Sequence, residues 1–185
     1  MSPPAVAGIR RNRGNRWGKL EMPDKDERTL EQAYRSAVSG LYARLRSNYD
    51  FIYGKFGDDG IKLIADMSRE YGLSIAARAR NRLRNNDPAS VARYLMRVFD
   101  TVGWGKNGFT ELVKADDFGV VIKANECPLN LDNPRMCLAH TTMEKTVVEE
   151  LNPNLTYRIG KSIPAGDAYC EHIIEIRSPQ DEKNG

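Results

Sequence analysis

The sequence predicts an α+β fold in which an N-terminal helical segment packs on a small C-terminal ββαββ sheet domain. Two observations predict it. Up to Asp100, apolar residues recur every three or four positions, which is typical of amphipathic helices. After Trp104, short runs of β-forming residues separated by turn residues flank a single stretch with helical spacing.

Four parts are expected along the chain. Residues 1–24 form a flexible basic tail, residues 25–104 the helical segment, residues 105–178 an α/β domain with every cysteine and histidine, and residues 179–185 a frayed tail. The first 20 residues contain no acidic residue, and their basic residues are Arg10, Arg11, Arg13, Arg16 and Lys19.

In the helical segment, the apolar residues from Glu27 to Ser47 lie on one helical stripe, and a short apolar piece, 51–56, follows. Asp58 is expected to cap a second long helix that Gly72 could interrupt. Its predicted inner stripe is Ile64, Met67, Tyr71, Ile75, Ala79 and Leu83. Asp87-Pro88 predicts the start of a third helix, with proline at the first helical position.

The second half predicts two pairs of strands around one helix. Residues 109–114 and 118–124 are expected to form a hairpin. Residues 136–151 return to helical spacing, and residues 155–163 and 168–177 have the composition of two further strands.

Composition excludes several classes of protein. A hydrophobic content of 41% and a charged content of 29% fit a globular chain and not a disordered one. No stretch approaches the roughly 18 apolar residues of a membrane span, and the N-terminus lacks the apolar region of a secretory signal. Three cysteines argue against a disulfide scaffold and for a reducing compartment. We therefore expect a soluble, cytoplasmic protein.

The cysteines and histidines all fall between residues 127 and 172. On a helix, Cys137, His140 and Glu144 would share one stripe. On a strand, Cys170 and His172 would point to one side, and the isoleucines that follow place that side toward the core. These groups could therefore meet in one buried pocket, with Cys127 in the loop that enters the helix.

Three interpretations of this cluster stay open. Thiolates and imidazoles together suit zinc or another divalent metal, and the candidate ligands are Cys127, Cys137, His140, Cys170 and His172. In a metal-free catalytic site, a histidine would instead lower the pKa of Cys127 or Cys170. In the third interpretation, the cysteines are small buried hydrophobic residues and the histidines are hydrogen-bonded structural residues.

Several segments together resemble the L-2-amino-thiazoline-4-carboxylic acid hydrolase family, which is itself reminiscent of the 4-vinyl reductase domain. They are KFGDDGIKLIADMSREYGLSIAARAR, CPLN, MCLAH, LNPNLTY and KSIPAGDAYCEHIIEI. The resemblance covers roughly residues 30–177, and Cys170 matches the late cysteine of the 4-vinyl reductase domain. In zinc-bearing members of that domain, the segment that ends at this cysteine resembles Glu-x2-Cys-x7-Cys. This chain has Ile159 and Ser162 at the first two positions of that pattern.

The resemblance implies opening of a cyclic amidine, or binding of a small organic ligand. We accordingly expect a hydrolase-like enzyme that opens a small cyclic amidine or amide. A metal would activate water with Glu144 as general base, or Cys127 would act as nucleophile. The alternative is a non-catalytic ligand sensor that signals through a helical homodimer. Nucleic-acid binding by the basic tail is the third and least favoured option, and no membrane partner is expected.

Overall fold

A computed structural model describes residues 29–102, 109–116 and 118–178 of the chain. The expected tails at residues 1–24 and 179–185, and the junction at residues 103–108, lie outside the described residues. None of the helices in the described ranges combines the length and apolar character needed to cross a membrane.

The helical segment consists of α1 (Leu30–Phe56), α2 (Asp58–Arg80) and α3 (Pro88–Val102). The piece 51–56, which the sequence suggested as a separate element, is the last part of α1. Gly57, with φ of 56°, makes the tight turn into α2, a conformation that favours glycine. At the start of α3, Asp87 accepts a hydrogen bond from the backbone N–H of Ser90 at 2.9 Å, which confirms it as the cap.

The expected interruption of α2 at Gly72 is wrong, because the helix runs through this residue. A β-carbon at Gly72 would lie 2.7 Å from the carbonyl oxygen of Met143 and 2.8 Å from Cβ of Thr146. Glycine therefore lets the backbone of α2 approach the helix formed by residues 134–151. Its role at this position is close packing.

The buried face of α2 also differs from the predicted stripe. Met67 and Tyr71 are 47% and 58% exposed, while Ser68 and Gly72, one position further along, are buried. The spacing of large apolar residues predicted this stripe, whereas the close contact between the two helices requires small side chains. The predicted and observed faces therefore agree at Ile64, Ile75 and Ala79, and they differ at Met67 and Tyr71, where Ser68 and Gly72 are buried instead.

The second half has the predicted ββαββ order, which confirms the α+β fold. Its elements are β1 (Thr110–Ala115), β2 (Gly119–Ala124), α4 (Pro134–Leu151), β3 (Leu155–Ile159) and β4 (Cys170–Ile176). The strands form one antiparallel sheet in the order β1-β2-β4-β3. β3 and β4 are shorter than expected because a 3-10 turn, Ile163–Ala165, and Gly166 with φ of 98° occupy the connection.

One face of the sheet packs on helices. Val120, Ile122 and Ile174 are fully buried there, in one core with residues of α2, α3 and α4. The core therefore joins the helical segment to the sheet. The opposite face carries ion pairs, such as Arg158–Glu175 at 2.7 Å. Because side chains alternate along a strand, Cys170 and His172 point with Ile174 toward the helices.

Candidate functional site

Each histidine of the chain is paired with a tyrosine. The hydroxyl of Tyr49, on α1, lies 3.0 Å from Nδ1 of His140, on α4. The hydroxyl of Tyr157, on β3, lies 2.6 Å from Nδ1 of His172, on β4. A tyrosine hydroxyl that donates to Nδ1 leaves the proton of a neutral imidazole on Nε2. The two rings are therefore oriented by their tyrosine partners.

Both imidazoles are neutral at neutral pH. Burial lowers the pKa of His140 to about 4, and burial lowers that of His172 to about 4 as well. The charge that His140 would carry lowers the pKa of His172 further, which shows that the two rings lie within electrostatic reach of each other. Phe99 contributes to the apolar surroundings, with its ring centroid 4.7 Å from that of His172.

Glu144 is a buried carboxyl group one helical turn after His140. Its side chain is 4% exposed, and its Oε2 atom has no hydrogen-bond partner among the described residues. Burial raises its pKa to about 7, because the charged form loses its hydration. Unpaired buried carboxyl groups are rare in stable folds and therefore need an explanation. At neutral pH this group is able both to donate and to accept a proton.

Three tyrosines, Tyr42, Tyr49 and Tyr157, respond to the charge on Glu144. Burial is the main cause of the raised pKa of Tyr42 and of Tyr157, and the carboxylate of Glu144 raises both further. Both phenols therefore stay protonated and serve as hydrogen-bond donors. We use the name Glu144 centre for Glu144, Tyr42, Tyr157 and the two histidines.

Two cysteines meet beside this centre, at the start of the 3-10 turn. The hydroxyl of Ser162 donates to Sγ of Cys137 at 3.7 Å, and the backbone N–H of Ile163 donates to Sγ of Cys170 at 3.3 Å. Burial raises the pKa of Cys137 to about 11 and also raises that of Cys170, so both are thiols at neutral pH. Cys127 is half-buried and packs against a second apolar cluster around Tyr49.

No histidine hydrogen-bonds a cysteine within the described part of the chain, since both Nδ1 atoms face tyrosines. Among the same residues, no group of three or more Cys, His, Asp or Glu side chains is placed to hold a metal ion. In the structure, His140 and His172 contact tyrosines, Cys137 and Cys170 contact Ser162 and Ile163, and Cys127 packs in an apolar cluster.

Sequence reasoning overlooked the tyrosines and Ser162. Tyr42 and Tyr49 are seven residues apart on α1 and therefore share a helix face, so their spacing already indicated a common side. Tyr157 lies two residues after Leu155, so both side chains are on the buried side of β3. This spacing was a usable signal in the sequence. Ser68 was also overlooked: burial raises the pKa of Tyr49, and the buried hydroxyl of Ser68 beside it opposes that rise.

No family model and no curated protein matches the chain. The resemblance to the L-2-amino-thiazoline-4-carboxylic acid hydrolase family therefore stays a prediction that rests on the quoted motifs, and the function has to be argued from the Glu144 centre.

Proposed function

We propose that the chain is a hydrolase-like enzyme that opens a small cyclic amidine or amide by general acid–base catalysis at Glu144. The observation that carries the proposal is a buried carboxyl group with one free oxygen and a pKa near 7. A catalytic acid or base works best when its pKa lies near the operating pH. A structural role for Glu144 would instead require a partner for Oε2.

The reaction needs one proton transfer in each direction. The carboxylate of Glu144 takes a proton from water while the water oxygen bonds to the carbon of the C–N group. The protonated carboxyl then gives that proton to the nitrogen as the C–N bond breaks, which regenerates the carboxylate. The phenol of Tyr42 is a donor suited to the oxygen or nitrogen on which negative charge develops. The hydroxyl of Tyr157 instead positions His172.

The cysteines have a smaller part in this proposal. Cys137 and Cys170 are buried thiols with raised pKa values, the opposite of what an activated nucleophile requires. Cys127, the nucleophile expected from the sequence, is more accessible than either of them. We propose Cys127 as the nucleophile in a second form of the mechanism. In that form the cysteine bonds to the substrate, and water then attacks the covalent intermediate.

Turnover of 2-amino-thiazoline-4-carboxylic acid by the purified chain, followed by chromatography, tests the proposal. We expect Glu144→Gln to lower the rate by about a hundredfold or more, since general acid–base catalysis contributes that much. Glu70→Gln, at an exposed position on α2, is the matched control. Equal rates in the wild type and in Glu144→Gln would exclude the proposed role.

A second candidate function uses the same centre without chemistry. Neutral histidines, protonated phenols and thiols form an uncharged polar surface that suits a small organic ligand. A sensor of this kind would bind the compound, measured by calorimetry, and release it unchanged. Binding without turnover in the wild type would favour the sensor over the enzyme.

The expectation of zinc or another divalent metal stays a prediction. If this prediction is correct, elemental analysis of the purified protein would give about one metal ion per chain. Cys170→Ala and His140→Ala should then both lose the ion, although each residue now contacts another group. A metal-free protein with full turnover would exclude it.

We also propose that the helical segment forms a homodimer. α2 exposes a stripe of large apolar side chains, Leu63, Met67 and Tyr71, at 44%, 47% and 58%. A second copy would cover it, because one stripe can face itself across a two-fold axis. Light scattering should give twice the chain mass for the wild type and for Asp66→Lys, and the monomer mass for Met67→Glu. A monomeric wild type would contradict the homodimer.

A further inference from the structure

Two adjoining clefts lie at the turn between α2 and α3, on residues outside the Glu144 centre. The larger has a volume of about 550 Å³, and its wall includes Arg80, Arg84 and Asn85. The smaller has a volume of about 280 Å³, and its wall includes Arg82, Tyr94 and Arg97. Leu83 lines both clefts, so the two clefts adjoin at this residue, and we call the pair the depression.

The depression is strongly basic. Four arginines line it, and Asp87 is the acidic residue among its lining residues. The carboxylate of Asp87 already caps α3, where it accepts hydrogen bonds from the N–H and the hydroxyl of Ser90 at 2.9 and 2.7 Å. It is therefore a weak partner for the arginines.

Only one of the four lining arginines has an acidic partner in the described part of the chain. Arg80 forms an ion pair with Glu150 at 2.6 Å and also donates to the Glu150 carbonyl oxygen at 2.8 Å. Arg82, Arg84 and Arg97 form no ion pair with a described residue, which leaves their charge available for an anionic ligand.

The wall of the larger cleft is held in place before any ligand arrives. The side-chain amide of Asn86 donates to the carbonyl oxygen of Leu151 at 3.2 Å, and that of Asn152 donates to the carbonyl oxygen of Asn86 at 2.9 Å. These bonds tie the turn to the end of α4. A site fixed in this way loses less entropy on binding than a mobile loop would.

We propose that this depression binds a nucleotide, a small organic phosphate with an attached planar ring. Arg84, which forms no ion pair with a described residue, would hold the phosphate in the larger cleft, because guanidinium groups match phosphate oxygens. Tyr94 and Leu83 give the smaller cleft an apolar surface for the ring, and Arg97 stands beside it. Two adjoining clefts of about 550 and 280 Å³ have the size of a small-molecule site and do not make an extended track for a nucleic-acid strand.

Calorimetry with the full chain tests the proposal, using adenosine monophosphate, adenosine, inorganic phosphate and a single-stranded oligonucleotide as probes. The monophosphate should bind more tightly than either adenosine or phosphate alone. Arg84→Gln and Arg97→Gln should each weaken binding by about tenfold or more, because each removes a charged hydrogen-bond donor. Arg78→Gln is the matched control, since Arg78 is exposed near the end of α2 and lines neither cleft.

Three results would overturn the nucleotide site. The first is no heat of binding for the monophosphate up to about 10 mM. The second is an equal loss of binding in Arg78→Gln, which would indicate a diffuse surface charge. The third is an oligonucleotide affinity far above that of the monophosphate with a steep salt dependence, which would indicate a nucleic-acid surface. Glu144→Gln should leave nucleotide binding unchanged, so this test is independent of the test of the proposed hydrolase activity.

Discussion

The hydroxyl of Tyr157 lies 2.6 Å from Nδ1 of His172 across the pair of neighbouring strands β3 and β4. In the register of these strands, Tyr157 is opposite Ile174 and His172 is opposite Ile159. The two polar groups therefore meet diagonally on the buried face of the sheet, where each would otherwise lack a partner. Together with Tyr49 and His140, this contact makes tyrosine the residue that positions both imidazoles.

Removing this hydroxyl should destabilise the fold. In Tyr157→Phe, Nδ1 of His172 loses its partner inside the core, and we expect the free energy of unfolding to fall by about 1–3 kcal/mol. Urea denaturation followed by circular dichroism measures the change. Tyr71→Phe, at an exposed position, is the control and should change the stability by less than about 0.5 kcal/mol. Equal stability of Tyr157→Phe and wild type would show that water replaces the hydroxyl.

Stability should depend on pH in opposite senses at the histidines and at Glu144. Each histidine has a folded-state pKa of about 4 against an ordinary 6.5, so the unfolded chain binds more protons between these values. The stabilisation from the neutral imidazoles is present above about pH 6.5 and is lost as the pH falls toward 4. The pKa of Glu144 is about 7 in the folded state against an ordinary 4.5. Its ionisation therefore destabilises the fold as the pH rises from about 4.5 to about 7.

Below about pH 6.5 the two histidines outweigh the one glutamate, so the wild type should lose stability as the pH falls. Glu144→Gln removes the opposing group. Relative to the wild type, the free energy of unfolding of Glu144→Gln should increase by about 1–3 kcal/mol as the pH rises from about 4.5 to about 8. Denaturation at several pH values measures both effects. A relative stability of Glu144→Gln that stays constant with pH would contradict the raised pKa of Glu144.

The contact between α2 and α4 should tolerate no side chain at Gly72. Gly72→Ala would force the backbone at Met143 and the side chain of Thr146 to move, and we expect a loss of about 1–3 kcal/mol. Gly54→Ala, in α1, is the matched control because a β-carbon there meets no atom within 4 Å. That change should stabilise the protein by up to about 1 kcal/mol, since alanine favours a helix. A stabilised Gly72→Ala would mean that the two helices can separate freely.

The three cysteines should differ in reactivity. Cys137 and Cys170 are buried thiols with raised pKa values, whereas Cys127 is half-buried. Iodoacetamide should therefore modify Cys127 first in the native protein, because alkylation requires both access and a thiolate. Peptide mass spectrometry over time measures the order. Faster modification of Cys170 would instead indicate an activated thiol at that position.

The sequence by itself determined the order of the elements and the fold class. The change from helical to strand periodicity, the Asp87-Pro88 start signal and the alternation along β4 are local properties, and each appears in the structure as predicted. The candidate residues Glu144, His140 and His172 also followed from local spacing, since helix and strand geometry fix which side chains share a face.

Only the tertiary structure decided which side chains are partners. Tyr49 is 91 residues from His140 along the chain, and no local rule pairs them. The buried face of α2 was likewise set by its neighbour, because close packing against α4 favoured Ser68 and Gly72 over Met67 and Tyr71. The raised pKa of Glu144 depends on how completely the surrounding elements exclude water, which is a property of the packed fold and not of spacing along one helix.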